Sequence, residues 1–178
     1  TRVVLKNWKS HLNSEFSFSK GTNGLIGIIG AGKSSVLDAI CFALFGTFPA
    51  LQSKKIKIDD VIMNKPFVQK SAEVRVEFLM DGKRYSVVRK VERGKGSTYA
   101  EIRENGRILE VGPSRVTQMV EKILKVSYEL FSKAIYSEQN SLDYFLTLGK
   151  GQRKKKIDEL LMLDQFEKVR ANAVSLAN

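Results

Sequence analysis

Residues 24–40 read GLIGIIGAGKSSVLDAI, and this stretch decides the fold. Residues 27–34 within it fit the pattern G-x-x-x-x-G-K-[ST], in which glycines let successive backbone N–H groups converge on a phosphate. Two adjacent bulky residues, Ile28 and Ile29, occupy variable positions of the pattern. Because side chains at those positions point away from the phosphate, we expect the loop to bind one. The alternative is a glycine-rich turn that merely enters a buried helix.

The sequence on either side of this loop predicts a strand, the loop and a helix in that order. VVLKNW (residues 3–8) and EFSFS (residues 15–19) are typical of strands, and TNGLI (residues 22–26) is expected to be a strand leading into the loop. A nearly all-apolar helix is predicted from Lys33 to Phe45, ended by Gly46 and by Pro49. Such a helix is expected to pack against a sheet with several of its sides buried.

The middle of the chain predicts an antiparallel β layer. Residues 51–67 are irregular and basic, and we expect an exposed excursion there. Alternating apolar and charged residues then predict two hairpins, which turn at Asp81-Gly82 and at Asn105-Gly106. A helix is predicted to begin at Pro113, with apolar residues recurring on one face.

The last part of the chain predicts helices. We expect a short helix capped by Ser127, an extended AIYSEQ (residues 134–139) and a helix capped by Ser141. Residues 152–178 predict a helix with an apolar stripe that is still running at the final residue, so we expect a longer helix or coiled coil. The predicted organisation is a first domain over residues 1–150 and the start of a coiled coil over residues 151–178.

Composition restricts the class of protein. The chain has 178 residues and a formal charge of +11, which favours polyanionic partners such as nucleic acid, although acidic pieces of a larger assembly are an alternative. No run of about 18 apolar residues occurs, and the first residues lack the apolar core of a secretory signal, so we expect an intracellular protein without a membrane span. Cys41 is the single cysteine, which excludes a disulfide framework or a cysteine-rich zinc site within this chain and favours a buried, apolar role.

The loop chemistry predicts one half of an ATP-hydrolysing site. Backbone amides of residues 30–35, the ammonium of Lys33 and a Mg²⁺ ion ligated by Ser34 would hold the triphosphate. Such an enzyme also needs an acidic residue at the end of an apolar strand. LLMLD, ending at Asp164, lies instead in the predicted helical stripe, and no Ser-Gly-Gly sequence is present. The missing groups are therefore expected from another polypeptide segment.

The order of motifs resembles the ATP-binding-cassette-like heads of the SMC group, and within it the DNA double-strand-break repair ATPases Rad-fifty and SbcC. LKNWKSH is similar to the family's opening strand and turn, and GAGKSSVLDAICFALFG is similar to its phosphate loop and first helix. AIYSEQNSLDYFL is similar to its Q-loop, and RKKKIDELLMLDQFEKV is similar to its entry into the coiled coil. It implies an α/β P-loop NTPase fold: a head lobe with a mixed sheet, an antiparallel β layer and a coiled-coil base.

The resemblance also implies the site residues. Lys33 and Gln139 would be catalytic, and Ser34 and Gln139 would hold Mg²⁺. The residues implied to bind ATP are Lys9, Ser10, Gly30, Ala31, Gly32, Lys33, Ser34 and Ser35, with Ile62, Met63 and Asn64 near the base or ribose. The family usually has asparagine where Ile29 stands and glycine where Asn140 stands, which bears on the hydrolysis rate. Zinc belongs to the hook of the full-length family protein and is not expected in this chain.

The partners implied are the C-terminal lobe of the same ATPase, a second head in an ATP-dependent homodimer, an Mre-type nuclease and double-stranded DNA, at the chromosome and without a membrane. The basic runs SKKIK (residues 53–57) and KGQRKKK (residues 150–156) are candidate DNA contacts. Two alternatives remain open: a DNA-clamp ATPase of the SMC or recombination-mediator kind without a nuclease, and a nucleic-acid-binding module that does not hydrolyse ATP.

Overall fold

The computed structural model describes residues 1–136 together with Gly149, Gly151, Gln152, Lys154, Asp158 and Arg170. Internal contacts divide the chain into two units, residues 1–125 and residues 126–178. No helix among the described residues is long and apolar enough to cross a bilayer.

The first unit is built on a six-stranded antiparallel sheet in the order β2-β1-β3-β4-β5-β6. Charged and apolar residues alternate along β3 and β4, and their burial alternates in the same way, so one face of the sheet is buried and the other is wet. The predicted hairpins are confirmed, because β3 pairs with β4 and β5 with β6 across the expected two-residue turns. The strands are β1 Arg2–Trp8, β2 His11–Ser17, β3 Ser71–Met80, β4 Lys83–Glu92, β5 Gly96–Glu104 and β6 Arg107–Val111.

The α/β class is confirmed, but two details of the predicted sheet are wrong. All strand pairs in the described sheet are antiparallel, not mixed. Residues 22–26 form no strand, since no strand of the described chain lies alongside to hydrogen-bond with them. The apolar side chain of Ile26 is accordingly 99% exposed.

Helix α1 (Lys33–Phe45) lies on the buried face of this sheet, as predicted. Its burial extends over most of its circumference because nearly every residue after Ser35 is apolar. The ring of Trp8 in β1 packs 5.1 Å from that of Phe42, and the Trp8 indole N–H donates to the carbonyl of Ser35. The helix ends at Gly46, whose φ of 74° is the left-handed conformation that glycine adopts readily.

The remaining elements of the first unit are short helix α2 (Pro49–Gln52), a 3₁₀ turn (Ile58–Val61) and helix α3 (Pro113–Leu124). Residues 51–67 are thus only partly the exposed excursion that the sequence predicts, because residues 61–63 are buried. Helix α3 buries Val116 and Val120 and contacts both α1 and β5, so it completes the core.

The second unit is described mainly over residues 126–136. Helix α4 (Tyr128–Leu130) begins at Ser127, whose hydroxyl accepts a hydrogen bond from the Leu130 N–H, as predicted. A π-helical turn (Phe131–Ile135) follows, closed by the Tyr136 N–H on the Phe131 carbonyl. The extended conformation predicted to begin at residue 134 is therefore wrong at residues 134–135, because this wider turn continues the helix. Most of the predictions for residues 137–178 lie outside the described residues.

Candidate nucleotide-binding site

The loop of residues 27–34 turns into the N-terminus of α1 through two left-handed glycines. Gly30 and Gly32 both have φ of 85°, and Gly32 is the residue that precedes the first turn of the helix. A Cβ atom added to Gly32 would lie 2.3 Å from the Ser10 hydroxyl and 2.6 Å from Nε2 of His11. Glycine is therefore required at position 32 by the backbone conformation and by the close approach of the turn between β1 and β2.

The loop presents several main-chain donors that have no acceptor within the described residues. The N–H of Ala31 donates to the Ile28 carbonyl at 3.2 Å, and the N–H of Ser35 donates to the Gly32 carbonyl at 2.9 Å. Four other N–H groups of the loop make no hydrogen bond to the described part of the chain. They belong to Gly30, Gly32, Lys33 and Ser34. Together with the partial positive charge at the start of α1, these donors favour an anion.

The side chain of Lys33 folds back over the loop. Its ammonium donates to the carbonyls of Gly27 and Ile28, at 2.8 Å each. The side chains of Ile28 and Ile29 are 82% and 101% exposed, so they extend into solvent. The ammonium is thus held beside the loop by weak, exposed acceptors that a phosphate oxygen can replace with a charge-assisted bond.

A cavity of about 350 Å³ joins this loop to the turn between β1 and β2. The residues that line it are Lys9, Ser10, Gly30, Gly32, Lys33, Ser34 and Ser35. Lys9 adopts a left-handed φ of 49°, and its ammonium lies 2.5 Å from a carboxylate oxygen of Asp38 and 4.9 Å from the centre of the Phe48 ring. Seven of the sequence-predicted site residues therefore lie around one opening.

The other predicted site residues do not line this cavity. Ala31 is exposed beside it, and Asn64 is exposed as well. Ile62 and Met63 are buried against β1, where Ile62 forms a bridge with Trp8 and the Met63 N–H donates to the Asn7 carbonyl. Their contact with a base or ribose stays a prediction. Gln139 and Asp164 lie outside the described residues.

Sequence reasoning missed two residues at this site, His11 and Asp38. The His11 Nε2 lies 3.1 Å from the Gly32 carbonyl, and the Asp38 carboxylate binds the Lys9 ammonium. A signal for Asp38 was present in the sequence, because it is the one charged residue in the otherwise apolar run from residue 36 to residue 46. A signal for His11 was its place directly after Lys9 and Ser10.

Cys41, one turn beyond Asp38 on α1, is fully buried, which confirms its predicted role as a small apolar residue. Burial raises the pKa of its thiol to about 12, and the nearby Asp38 carboxylate acts in the same direction. The thiol is therefore neutral and unreactive at physiological pH.

The donor set around the cavity fits a magnesium ion bound together with a nucleotide. In the described part of the chain, no group of three or more His, Cys, Asp or Glu residues could hold a metal by itself. Ser34, which lines the cavity, carries a hydroxyl. Mg²⁺ in such sites takes few protein ligands and several phosphate and water oxygens, so one hydroxyl is consistent with it.

The chain belongs to the AAA domain family, whose sequence profile matches residues 2–174. Within that class, it is similar to the DNA double-strand break repair Rad50 (Rad-fifty) ATPases. It is 34% identical over 166 residues to the protein of Methanocaldococcus jannaschii and 37% identical over 169 residues to that of Thermoplasma volcanium. Each alignment covers 93% of this chain but only 16% and 18% of the relatives, so the chain spans less than a fifth of their length.

Solved structures show the same fold. A chain from a study of ATP-driven dimerization and DNA-stimulated activation of SMC ATPases superimposes with a TM-score of 0.67 at 24% identity, covering 89% of this chain and 97% of that one. The recombination mediator protein RecF with ATP superimposes with a TM-score of 0.52 at 16% identity, covering 98% of this chain and 44% of that one. The predicted fold of an ATPase head is thereby confirmed, and the similarity to the Rad50 ATPases confirms the predicted family resemblance.

Proposed function

We propose that this chain is the N-terminal nucleotide-binding lobe of a DNA double-strand-break repair ATPase. The observation that carries the proposal is a set of four neighbouring N–H groups that have no acceptor among the described residues and belong to residues lining one cavity, together with the Lys33 ammonium. The similarity to Rad50 ATPases over 93% of the chain supports the same assignment.

In this proposal the chain's own groups bind and orient the triphosphate. The N–H groups of Gly30, Gly32, Lys33 and Ser34 hold phosphate oxygens, and the Lys33 ammonium exchanges its two carbonyl partners for phosphate. Ser34 would hold Mg²⁺, as would Gln139 by the family resemblance, and the ion would neutralise charge on the phosphates. Gln139 also orients the attacking water. Lys9 and Ser10 line the cavity from the turn between β1 and β2.

The proposed site is one half of a composite site. A complete ATPase of this kind needs an acidic residue at a strand end and a donor from an opposing subunit, and neither has a candidate in the sequence of this chain. The C-terminal lobe of the same ATPase would supply them, and two such heads would close over ATP. Head closure would couple ATP to grip on double-stranded DNA and to control of an Mre-type nuclease.

Exposed apolar side chains in and beside the loop support a missing partner lobe. Residues 22–28 contribute no strand to the described sheet, and the Ile26 and Ile28 side chains are 99% and 82% exposed. A strand from the C-terminal lobe that pairs here would cover these side chains and satisfy the backbone.

The half-site is tested by measuring ATP hydrolysis of this chain alone, of the C-terminal lobe alone and of their mixture. We expect the mixture to turn over ATP at least tenfold faster than the sum of the separate rates, because each lobe alone lacks part of the site. Lys33→Met should abolish this gain, whereas Lys20→Met, which removes an exposed lysine outside the loop, should not. An unchanged rate on mixing would contradict the composite site.

The DNA contact is tested at residues 53–57. Lys54, Lys55 and Lys57 are exposed there, close together along the chain. Each phosphate contact that is lost should lower the slope of log affinity against log salt by about 0.9. Changing the three lysines to alanine should therefore reduce the slope for a DNA duplex. The matched control is the triple alanine variant of Lys20, Arg107 and Lys122, which are exposed at scattered positions. Equal slopes for the two triple variants would remove these lysines from the proposal.

Pull-down of an Mre-type nuclease with the assembled heads separates the repair ATPase from a DNA clamp of the SMC or recombination-mediator kind. The repair assignment predicts co-purification of the nuclease with the heads. Heads that hydrolyse ATP and hold DNA but do not retain the nuclease would favour the clamp.

A further inference from the structure

His11, the only histidine of the chain, packs directly against the phosphate loop. It begins β2 and is 8% exposed, and its ring packs nearly perpendicular to that of Phe16 with 5.7 Å between ring centres. Its Nε2 lies 3.1 Å from the carbonyl oxygen of Gly32, and its Nδ1 lies 3.0 Å from the hydroxyl of Ser14. The ring therefore connects the sheet edge to the loop.

The acceptor at Gly32 decides where the ring carries its hydrogen. A carbonyl oxygen can only accept, so Nε2 of His11 must carry the hydrogen that bonds Gly32. In the neutral ring Nδ1 is then an acceptor, and the Ser14 hydroxyl, which can donate or accept, donates to it. Ser14 thus orients the ring, and the ring holds the loop.

The Gly32 carbonyl shares a peptide plane with the N–H of Lys33. In a planar trans peptide these two groups point in opposite directions. The carbonyl is held by two donors, the His11 ring and the Ser35 N–H, at 3.1 Å and 2.9 Å. The Lys33 N–H consequently points away from His11, and it has no acceptor in the described part of the chain.

We propose that His11 is a positioning residue of the nucleotide site: it fixes the Gly32–Lys33 peptide so that the Lys33 N–H points at the phosphate chain. The inference rests on the proposed function and extends it to a residue outside the loop motif. His11 acts through the backbone and does not touch the nucleotide. Without its bond, the peptide is held by the Ser35 N–H alone and can rotate, which weakens the phosphate contact.

Two substitutions separate the hydrogen bond from the packing. His11→Leu fills the site with an apolar side chain and removes the donor, whereas His11→Gln places an amide NH₂ near the former Nε2 position and keeps it. We expect His11→Leu to bind Mg-ATP about tenfold more weakly in calorimetry, the effect of one net hydrogen bond of ordinary strength. His11→Gln should stay within about threefold of the unaltered chain.

Pyrophosphate serves as the second probe, because the proposed effect lies in the phosphate contact. The fold-loss caused by His11→Leu should be the same for pyrophosphate as for ATP. The amide signal of Lys33, followed by NMR, should move less on saturation with ATP in His11→Leu than in His11→Gln. A purely structural role would lower the stability of the chain without this selective change at Lys33.

The outcomes distinguish this inference from the function on which it rests. If the unaltered chain binds neither ATP nor pyrophosphate, the proposed function fails. If the chain binds ATP and the leucine and glutamine variants bind it equally well, with equal Lys33 shifts, His11 is not a positioning residue. If the leucine variant does not fold, His11→Asn replaces it, because the shorter amide reaches toward Ser14 and not toward Gly32. Equal ATP binding by the asparagine and glutamine variants would then overturn the inference.

Discussion

The Arg89→Met substitution is expected to remove the hydrogen bonds that end helix α1. Arg89 lies in β4 and is 1% exposed. Its guanidinium donates to the carbonyls of Ala43 and Leu44 at 2.8 and 3.1 Å, to the Pro113 carbonyl at 3.1 Å and to the Thr117 hydroxyl at 2.8 Å. Burial lowers the pKa of Arg89 to about 10, so the group stays charged at neutral pH and meets the negative end of the helix dipole.

The size of the effect follows from the two carbonyls in the last turn of α1. A buried acceptor left without a donor costs about 1–3 kcal/mol. The carbonyls of Ala43 and Leu44 both lose their Arg89 bond, while the Thr117 hydroxyl keeps its bonds to Phe45 and Pro113. Methionine recovers part of the packing, and we expect a net loss of about 3 kcal/mol in the free energy of unfolding.

Urea denaturation followed by tryptophan fluorescence measures this loss, because Trp8 is the only tryptophan and is fully buried against α1. Arg84→Met is the matched control: Arg84 lies on the same strand but is exposed, so its substitution should change stability by about 0.5 kcal/mol or less. Equal urea midpoints for the Arg89 and Arg84 variants would refute the reasoning.

Cys41 should react with a thiol reagent at neutral pH only after denaturation, because it is buried and its pKa is raised to about 12; rapid labelling of the folded chain would contradict this. Above the ordinary thiol pKa of 9.0 the Cys41 thiol loses its proton in the unfolded chain but keeps it in the folded chain. The free energy of unfolding should therefore fall as pH rises from about 9 to 12. The Cys41→Ala variant should lose less stability over that range. Gly32→Ala should abolish ATP binding and destabilise the chain more than Gly106→Ala, since both glycines have a left-handed φ but only Gly32 has neighbours within 3 Å of an added Cβ. Similar losses of stability in the two alanine variants would show that His11 and Ser10 move aside.

Local signals explain which elements could be predicted. The hairpin turn at Asp81-Gly82 needs two left-handed residues, and the sequence supplies a common pair for that geometry. Helix α1 begins at Lys33 and ends before Gly46 as predicted, because an apolar run and a glycine stop are both local features.

Features that depend on distant partners could not be predicted in the same way. Residues 22–26 have strand-like composition, but a strand also needs a neighbour, and none lies beside them in the described chain. The contacts of His11 with Gly32 and of Lys9 with Asp38 join residues 21 and 29 positions apart, which no local pattern reveals. The sequence could predict the position of the phosphate loop but not these contacts between the loop, helix α1 and the turn between β1 and β2.

The amide signals of the loop give the most direct test of the central claim, that unpaired main-chain N–H groups and the Lys33 ammonium bind a triphosphate. In an NMR titration with Mg-ATP, the amide protons of Gly30, Gly32, Lys33 and Ser34 should shift together and saturate, because each gains a charged acceptor. The amides of Ala31 and Ser35 should move much less, since they are already bonded inside the loop. Unchanged signals at all four positions with saturating Mg-ATP would contradict the claim.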